Sequence, residues 1–125
     1  MPLRVLLVED SRMLADRLRE SLDMLDGIEV VGAVTDESSA VAAVRDKHVD
    51  VIVLDLQLKE GTGFGVVQRL GANRPKIIVF TNYMLPEYQR FADSLGVEYF
   101  LNKSMDYERL PQLILEIGAG RTAPN

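Results

Sequence analysis

The chain has no cysteine and a single histidine, His48, among its 125 residues. That excludes disulfides, thiolate nucleophiles and cysteine-held metals. A lone imidazole supports neither a catalytic triad nor a histidine metal cluster. No apolar run approaches the ~20 residues of a membrane span. The apolar start at residues 3–8 is interrupted by Glu9 and Asp10 too early for a signal peptide. Basic residues are outnumbered 14 to 19, giving a formal net charge of -5. Duplex binding usually needs a basic face, so nucleic acid is not the expected partner. Internal repeats, coiled-coil heptads and low-complexity tracts are also missing. What remains is an expectation of one soluble, cytoplasmic domain. Its balance of 47% hydrophobic and 26% charged residues is ordinary for a globular chain, and its length is enough to bury roughly two-thirds of the unfolded surface.

Four short apolar runs each end in a chemically pointed residue. Residues 3–8 run into Glu9-Asp10, 51–54 into Asp55, 77–80 into Thr81-Asn82, and 98–102 into Lys103. β-Branched runs of this kind read as buried strands of a parallel sheet. Helical spacing fills the gaps. Leu14, Leu18, Leu22 and Leu25 follow a cap at Asp10 or Ser11, and Gly27 ends that helix before a strand at 28–34. Asp36 caps a helix carrying Ala40, Val41 and Val44. Gly61, Gly63 and Gly65 suggest a loosely held loop into a helix with Phe64, Val67 and Leu70, closed by Pro75. Pro86 opens a helix with Tyr88, Phe91, Ala92 and Leu95, and Gly96 caps it. The last helix carries Leu110, Leu113, Ile114 and Ile117. Pro111 argues for a turn at 106–109, with the helix proper starting near it. Residues 118–125 lack periodicity and are expected to form a short flexible tail after a domain at 1–117. Five βα units imply an α/β, doubly wound, five-stranded parallel sheet of order 2-1-3-4-5. It is flavodoxin-like, with helices on both faces.

In such sheets the chemistry gathers at the carboxyl ends of the strands. Glu9, Asp10 and Asp55 therefore meet at one edge, with Thr81 and Lys103. Carboxylates about 4 Å apart repel by roughly 4 kcal/mol at an effective dielectric near 20. A cation offsets that. Oxygen-only ligands point to a hard ion, and Mg²⁺ is the natural choice. Each signal has a plainer reading: Glu9 and Asp10 as helix-capping acids, Lys103 as an edge charge, Thr81 as a β-branched strand end. Asp55 shifts the balance, because it ends a run too apolar to hold a charge idly. The set suits a divalent cation and a transferred phosphoryl group.

On Glu9-Asp10, Asp55, Gly63, Thr81, Phe100 and Lys103 the chain resembles the receiver domain of bacterial two-component response regulators, stand-alone and chemotaxis-regulator-like, over residues 3–117. The resemblance implies that Asp55 is the phosphoacceptor, fed by a sensor histidine kinase or phosphotransfer protein. Asp10, Asp55 and the main-chain carbonyl of Gln57 would hold Mg²⁺, with Glu9 acting through water. Lys103 and Thr81 would bind phosphoryl oxygens, and Phe100 would be the aromatic switch partner of Thr81. It implies a phosphorylation-activated switch that signals by protein contacts. It would be no enzyme beyond assisting its own phosphorylation and dephosphorylation, and either a monomer or a phosphorylation-linked homodimer.

Three positions depart from the family pattern. Ser104 stands where a proline with a cis bond is usual, and a trans bond is expected before it, since a cis bond before a non-proline costs roughly 2.5–4 kcal/mol. Lys59 replaces another proline. Asn82 replaces a small residue and should narrow access to the phosphoryl group. Residues 82–86 are apolar for a loop. Met84 and Leu85 are expected to fold back on the core, with a partner surface as the other reading, and Tyr83, Tyr88 and Tyr99 fall near the face many receivers use for output. His48 reads as a solvated loop residue. The glycines at 61, 63 and 65 make no dinucleotide fingerprint. Alternatives are a phosphate sink or relay intermediate, an aspartate-nucleophile phosphatase, for which Gln57 stands where a second aspartate is needed, and a flavin module, which Glu9-Asp10 would repel.

Overall fold

The computed structural model describes residues 2–122. Five strands alternate with five helices: β1 (Leu3–Val8), α1 (Arg12–Asp23), β2 (Ile28–Val34), α2 (Glu37–Asp46), β3 (Val51–Leu54), α3 (Gly63–Leu70), β4 (Lys76–Thr81), α4 (Pro86–Ser94), β5 (Tyr99–Asn102) and α5 (Arg109–Thr122). All strand pairs are parallel, in the order β2-β1-β3-β4-β5. The predicted fold class and strand order are therefore present.

The sheet is buried on both faces because β3 is apolar at every position and β1 and β4 are apolar except at Arg4, Lys76 and Thr81. Period-two alternation then sorts their side chains between two cores. Leu6, Val8, Ile52, Leu54, Ile77 and Val79 join Ala40, Val41, Val66, Val67 and Ala92 beneath α2, α3 and α4. Val5, Leu7, Val51, Val53, Ile78 and Phe80 join Leu18, Leu22, Leu110 and Ile114 beneath α1 and α5. Among the described residues, no helix is long and apolar enough to cross a membrane.

Local signals decide the element ends. Ser11, rather than Asp10, caps α1 by accepting from the Leu14 N–H at 3.3 Å. Asp36 caps α2 through the Ser39 N–H at 2.8 Å, and those bonds hold its carboxyl below the usual carboxylate range. Pro86 opens α4, and Gly96 sits at φ +82°. The turn before α5 is closed by the Arg109 N–H on the Asp106 carbonyl, and Pro111 falls in the first helical turn, where its missing N–H has no partner to lose. No described peptide bond is cis, the one before Ser104 included.

Three expectations need correction. The helix continues to Thr122, so residues 118–122 are not part of a tail. A Cβ at Gly118 would meet the Leu3 side chain at 3.4 Å, an ordinary contact, and a helical glycine costs only about 1 kcal/mol, too little to end an established ladder. The last three residues lie outside the described ones. The segment at residues 61–65, the end of the loop and the first turn of α3, is not loosely held; it is bolted to α2, as detailed below. Leu85 does not fold onto the core: it is 50% exposed, while Met84 is half-buried. Tyr99 packs on the α1/α5 side of the sheet, opposite Phe100, because neighbours on a strand face opposite ways. His48 is exposed as read, with its ring Nε2 2.9 Å from Asp50.

Candidate phosphoryl and metal site

Parallel register assembles the site. Val8 pairs with Leu54, so the next residues, Glu9 and Asp55, leave the sheet side by side. The Asp55 N–H donates to the Val8 carbonyl at 3.0 Å. Thr81 pairs with Asn102, and the Lys103 N–H donates to the Thr81 carbonyl at 3.0 Å, which brings the lysine to the same edge. Gly63 permits the close return of the chain: a Cβ there would come within 2.3 Å of the Asp55 carbonyl oxygen.

The side chains meet as the strand-end pattern requires. Glu9, Asp10 and Asp55 each place a carboxylate oxygen within 4.8 Å of the others. Lys103 Nζ donates to Asp55 Oδ2 at 2.6 Å and lies 2.6 Å from Glu9 Oε1. Glu9 and Asp55 are nearly inaccessible, whereas Asp10 is exposed. Burial pushes the Glu9 carboxyl up to about 7. Hydrogen bonds from Lys103 and the Ser11 N–H pull against that, and Asp10 adds to it. Burial alone would lower Lys103, but Asp55 and Glu9 together outweigh it and raise its pKa. Two buried carboxylates therefore share one ammonium, and the group keeps a negative excess that a further cation offsets. Three hard oxygen donors, with no sulfur or imidazole, suit Mg²⁺.

Thr81 is fully buried, and its hydroxyl accepts the Tyr83 N–H at 3.2 Å. Phe100 is half-buried against the α2/α3/α4 core. Gln57 lies where its backbone N–H reaches Asp55 Oδ1 at 3.4 Å. Its side-chain oxygen accepts from the Tyr83 hydroxyl, a tie between the loops after β3 and β4 with no local sequence signal. A second such tie joins two of the departures noted above: Ser104 Oγ to Asn82 Oδ1 at 3.1 Å. Tyr83, Tyr88, Phe64 and Gln57 also line a cavity of about 250 Å³ beside the site.

The response regulator receiver domain family matches residues 5–115. The chain belongs to that family. Receiver domains are the phosphorylation-activated switches of two-component systems, and they take Mg²⁺ at an acidic pocket of this kind. The chain is 31% identical to the transcriptional regulatory protein DesR of Bacillus subtilis, across 94% of this chain and 59% of that protein. It is 29% identical to a protein-glutamate methylesterase/protein-glutamine glutaminase of Alkalilimnicola ehrlichii, across 99% of this chain and 35% of that protein. It thus spans about a third to three-fifths of these relatives, and matches only the receiver portion. A receiver is not itself the catalytic part of such a methylesterase. In structure it is similar to a LuxR-family response regulator from Aurantimonas, with TM-score 0.86 and 26% identity over 96% of this chain and 87% of that one. It shares its fold with the receiver domain of Thermotoga maritima CheB, with TM-score 0.84 and 21% identity over the whole of both.

Proposed function

We propose that this receiver takes its phosphoryl group on Asp55 and uses Lys103, Thr81 and an acid-held Mg²⁺ to manage the charge. The observation that carries the reading is Lys103 Nζ at 2.6 Å from both Asp55 and Glu9 at the carboxyl edge of the sheet. An Asp55 carboxylate oxygen attacks phosphorus in line. A P–N bond to a phosphohistidine, or the P–O bond of a small acyl phosphate, breaks as the new P–O bond forms. Asp10, Asp55 and the Gln57 carbonyl would hold the ion, with Glu9 close by. When bound, Mg²⁺ supplies positive charge to the phosphoryl oxygens. Lys103 stays within reach of the product, and the Thr81 hydroxyl turns toward a phosphoryl oxygen. Hydrolysis of the acyl phosphate returns the carboxylate and inorganic phosphate. The donor is a sensor histidine kinase or a phosphotransfer protein. The net charge of -5 favours a protein as the downstream partner over nucleic acid.

The reading is tested by mass spectrometry after incubation with acetyl phosphate and Mg²⁺. One phosphate is expected on the parent and none on Asp55→Asn. Equal uptake by the Asn variant would overturn the assignment.

A second expectation separates the acids. Carboxylates at such spacings repel by about 3–4 kcal/mol at an effective dielectric near 20. Asp10→Ala should therefore leave metal-free stability level or higher while weakening Mg²⁺ binding. Paired urea melts and an Mg²⁺ titration check it, and parental Mg²⁺ affinity in the variant would refute a ligand role for Asp10.

A further inference from the structure

Asp55 and Gln57 lead into a loop that begins five residues before α3, and that loop is fastened to the start of α2 by the Glu37 side chain and by two backbone hydrogen bonds. Glu37, the first residue of α2, accepts the Thr62 N–H on Oε1 at 3.0 Å. Its Oε2 lies 3.3 Å from Arg69 on α3. The Glu37 N–H donates to the Glu60 carbonyl at 3.0 Å, and the Lys59 N–H donates to the Thr35 carbonyl at 3.0 Å. A proline at position 59 would lack that last donor. Thr62 in turn caps α3 through the Gly65 N–H at 2.9 Å, and it bridges back to Gln57.

Two glycines open the space for this carboxylate. A Cβ on Gly65 would fall 2.1 Å from Glu37 Oε1, and one on Gly61 would fall 2.5 Å from Glu37 Cβ. Gly61 also sits at φ +83°, where other residues are strained. Glycine at 65 has no such excuse in its backbone angles. Inside a helix it is a poor choice on propensity alone, so its absent side chain is explained by the carboxylate seated there. An acid at the first turn of α2 is ordinary as a response to the helix dipole. A dipole accounts for the charge of Glu37, but not for a notch of two glycines on a separate element.

We propose that Glu37 is a positioning residue for the phosphorylation site: seated in the Gly61–Gly65 notch, it holds the loop after β3 so that Gln57 keeps its place beside Asp55 for the cation. The proposal rests on the reading of Asp55 and Gln57 given above.

The test is an Mg²⁺ titration followed by backbone amide NMR, with hydrogen exchange of residues 57–62 in the metal-free protein. Glu37→Ala should weaken Mg²⁺ binding about tenfold, the low end of what loss of an outer-shell partner costs a metal site. It should also lower exchange protection at the Thr62 N–H, which loses its acceptor. Glu37→Gln keeps an acceptor for the Thr62 N–H and should retain most of the affinity. Gly65→Ala should repeat the Glu37→Ala loss by evicting the carboxylate, although alanine is the better helix former. In a Glu37→Ala background the same Gly65→Ala change should cost nothing further. Parental Mg²⁺ affinity in Glu37→Ala would sink the proposal alone. So would an undiminished Gly65→Ala loss in the double variant. A parent protein that binds no Mg²⁺ at all would take down the underlying reading of the site with it.

Discussion

Lys103→Met is expected to cost the metal-free protein about 3–5 kcal/mol of folding stability near pH 8, the usual penalty for removing one partner of a buried ion pair. Methionine keeps the length of the side chain and loses the ammonium. Lys103 is only 13% exposed, and the carboxylates it touches are 4% and 5% exposed, so water does little to replace it. The loss should depend on pH. The Glu9 carboxyl is raised in the folded protein, from 4.5 to about 7. A raised carboxyl binds its proton more tightly folded than unfolded. Its stabilising share is therefore fully present below about pH 4.5 and is lost as pH rises through about 7. Without the ammonium that opposes the shift, the Glu9 carboxyl should rise further and be protonated across more of that window. A proton then stands in for the missing cation, and the gap between variant and parent should narrow at pH 5.5. Urea denaturation of both proteins at the two pH values measures it. A loss under about 1 kcal/mol at pH 8 would show that Lys103 is not what compensates the two acids.

How much of this was visible in the sequence follows from where each contact lies along the chain. Asp55, Glu9 and Lys103 were legible because each ends an apolar run, and a parallel sheet delivers all such ends to one edge. The cap at Asp36 and the start of α4 at Pro86 were legible because capping is settled within four residues. Glu37 was not legible, since its partners Thr62 and Arg69 lie 25 and 32 residues away on another element. Read alone, Gly61 and Gly65 signal looseness; their missing side chains become informative only once the carboxylate between α2 and α3 is in view. The same holds for Tyr83 with Gln57 and for Asn82 with Ser104. In both pairs, neither residue's own neighbours in sequence hint at the other. The extent of α5 was misjudged for the opposite reason. Gly118 and Gly120 are locally poor helix formers, and a helix already packed through Leu110 and Ile114 absorbs that cost.

Thr81→Ala should still accept a phosphoryl group but respond to it incompletely. The Thr81 hydroxyl is buried and accepts the Tyr83 N–H, so the residue that would reach for a phosphoryl oxygen also holds the first turn of the β4–α4 loop. The phosphoryl group brings about -1.5 to -2 of charge and three acceptor oxygens. Movement of Thr81 toward it would tug the Tyr83 backbone, and with it the Tyr83 side-chain tie to Gln57. Phe100, half-buried beside this strand, has no hydroxyl to favour an outward or inward ring position, so its share in the switch is one of packing. A switch that goes from 1:99 to 99:1 requires about 5.5 kcal/mol of differential stabilisation. One hydrogen bond to a charged group gives about 1.5–3 kcal/mol, leaving the rest to Lys103 and the cation. Losing that bond lowers the final ratio by roughly 10- to 160-fold, since each 1.36 kcal/mol is tenfold. The active population then falls from nearly complete to somewhere between about 40% and 90%. The measurement is the amide shift change over residues 83–103 on adding beryllofluoride and Mg²⁺, with the parent response as full scale. A response in Thr81→Ala as large as the parent's would mean that the hydroxyl carries none of the coupling and that the signal leaves the site through Lys103 and β5 instead.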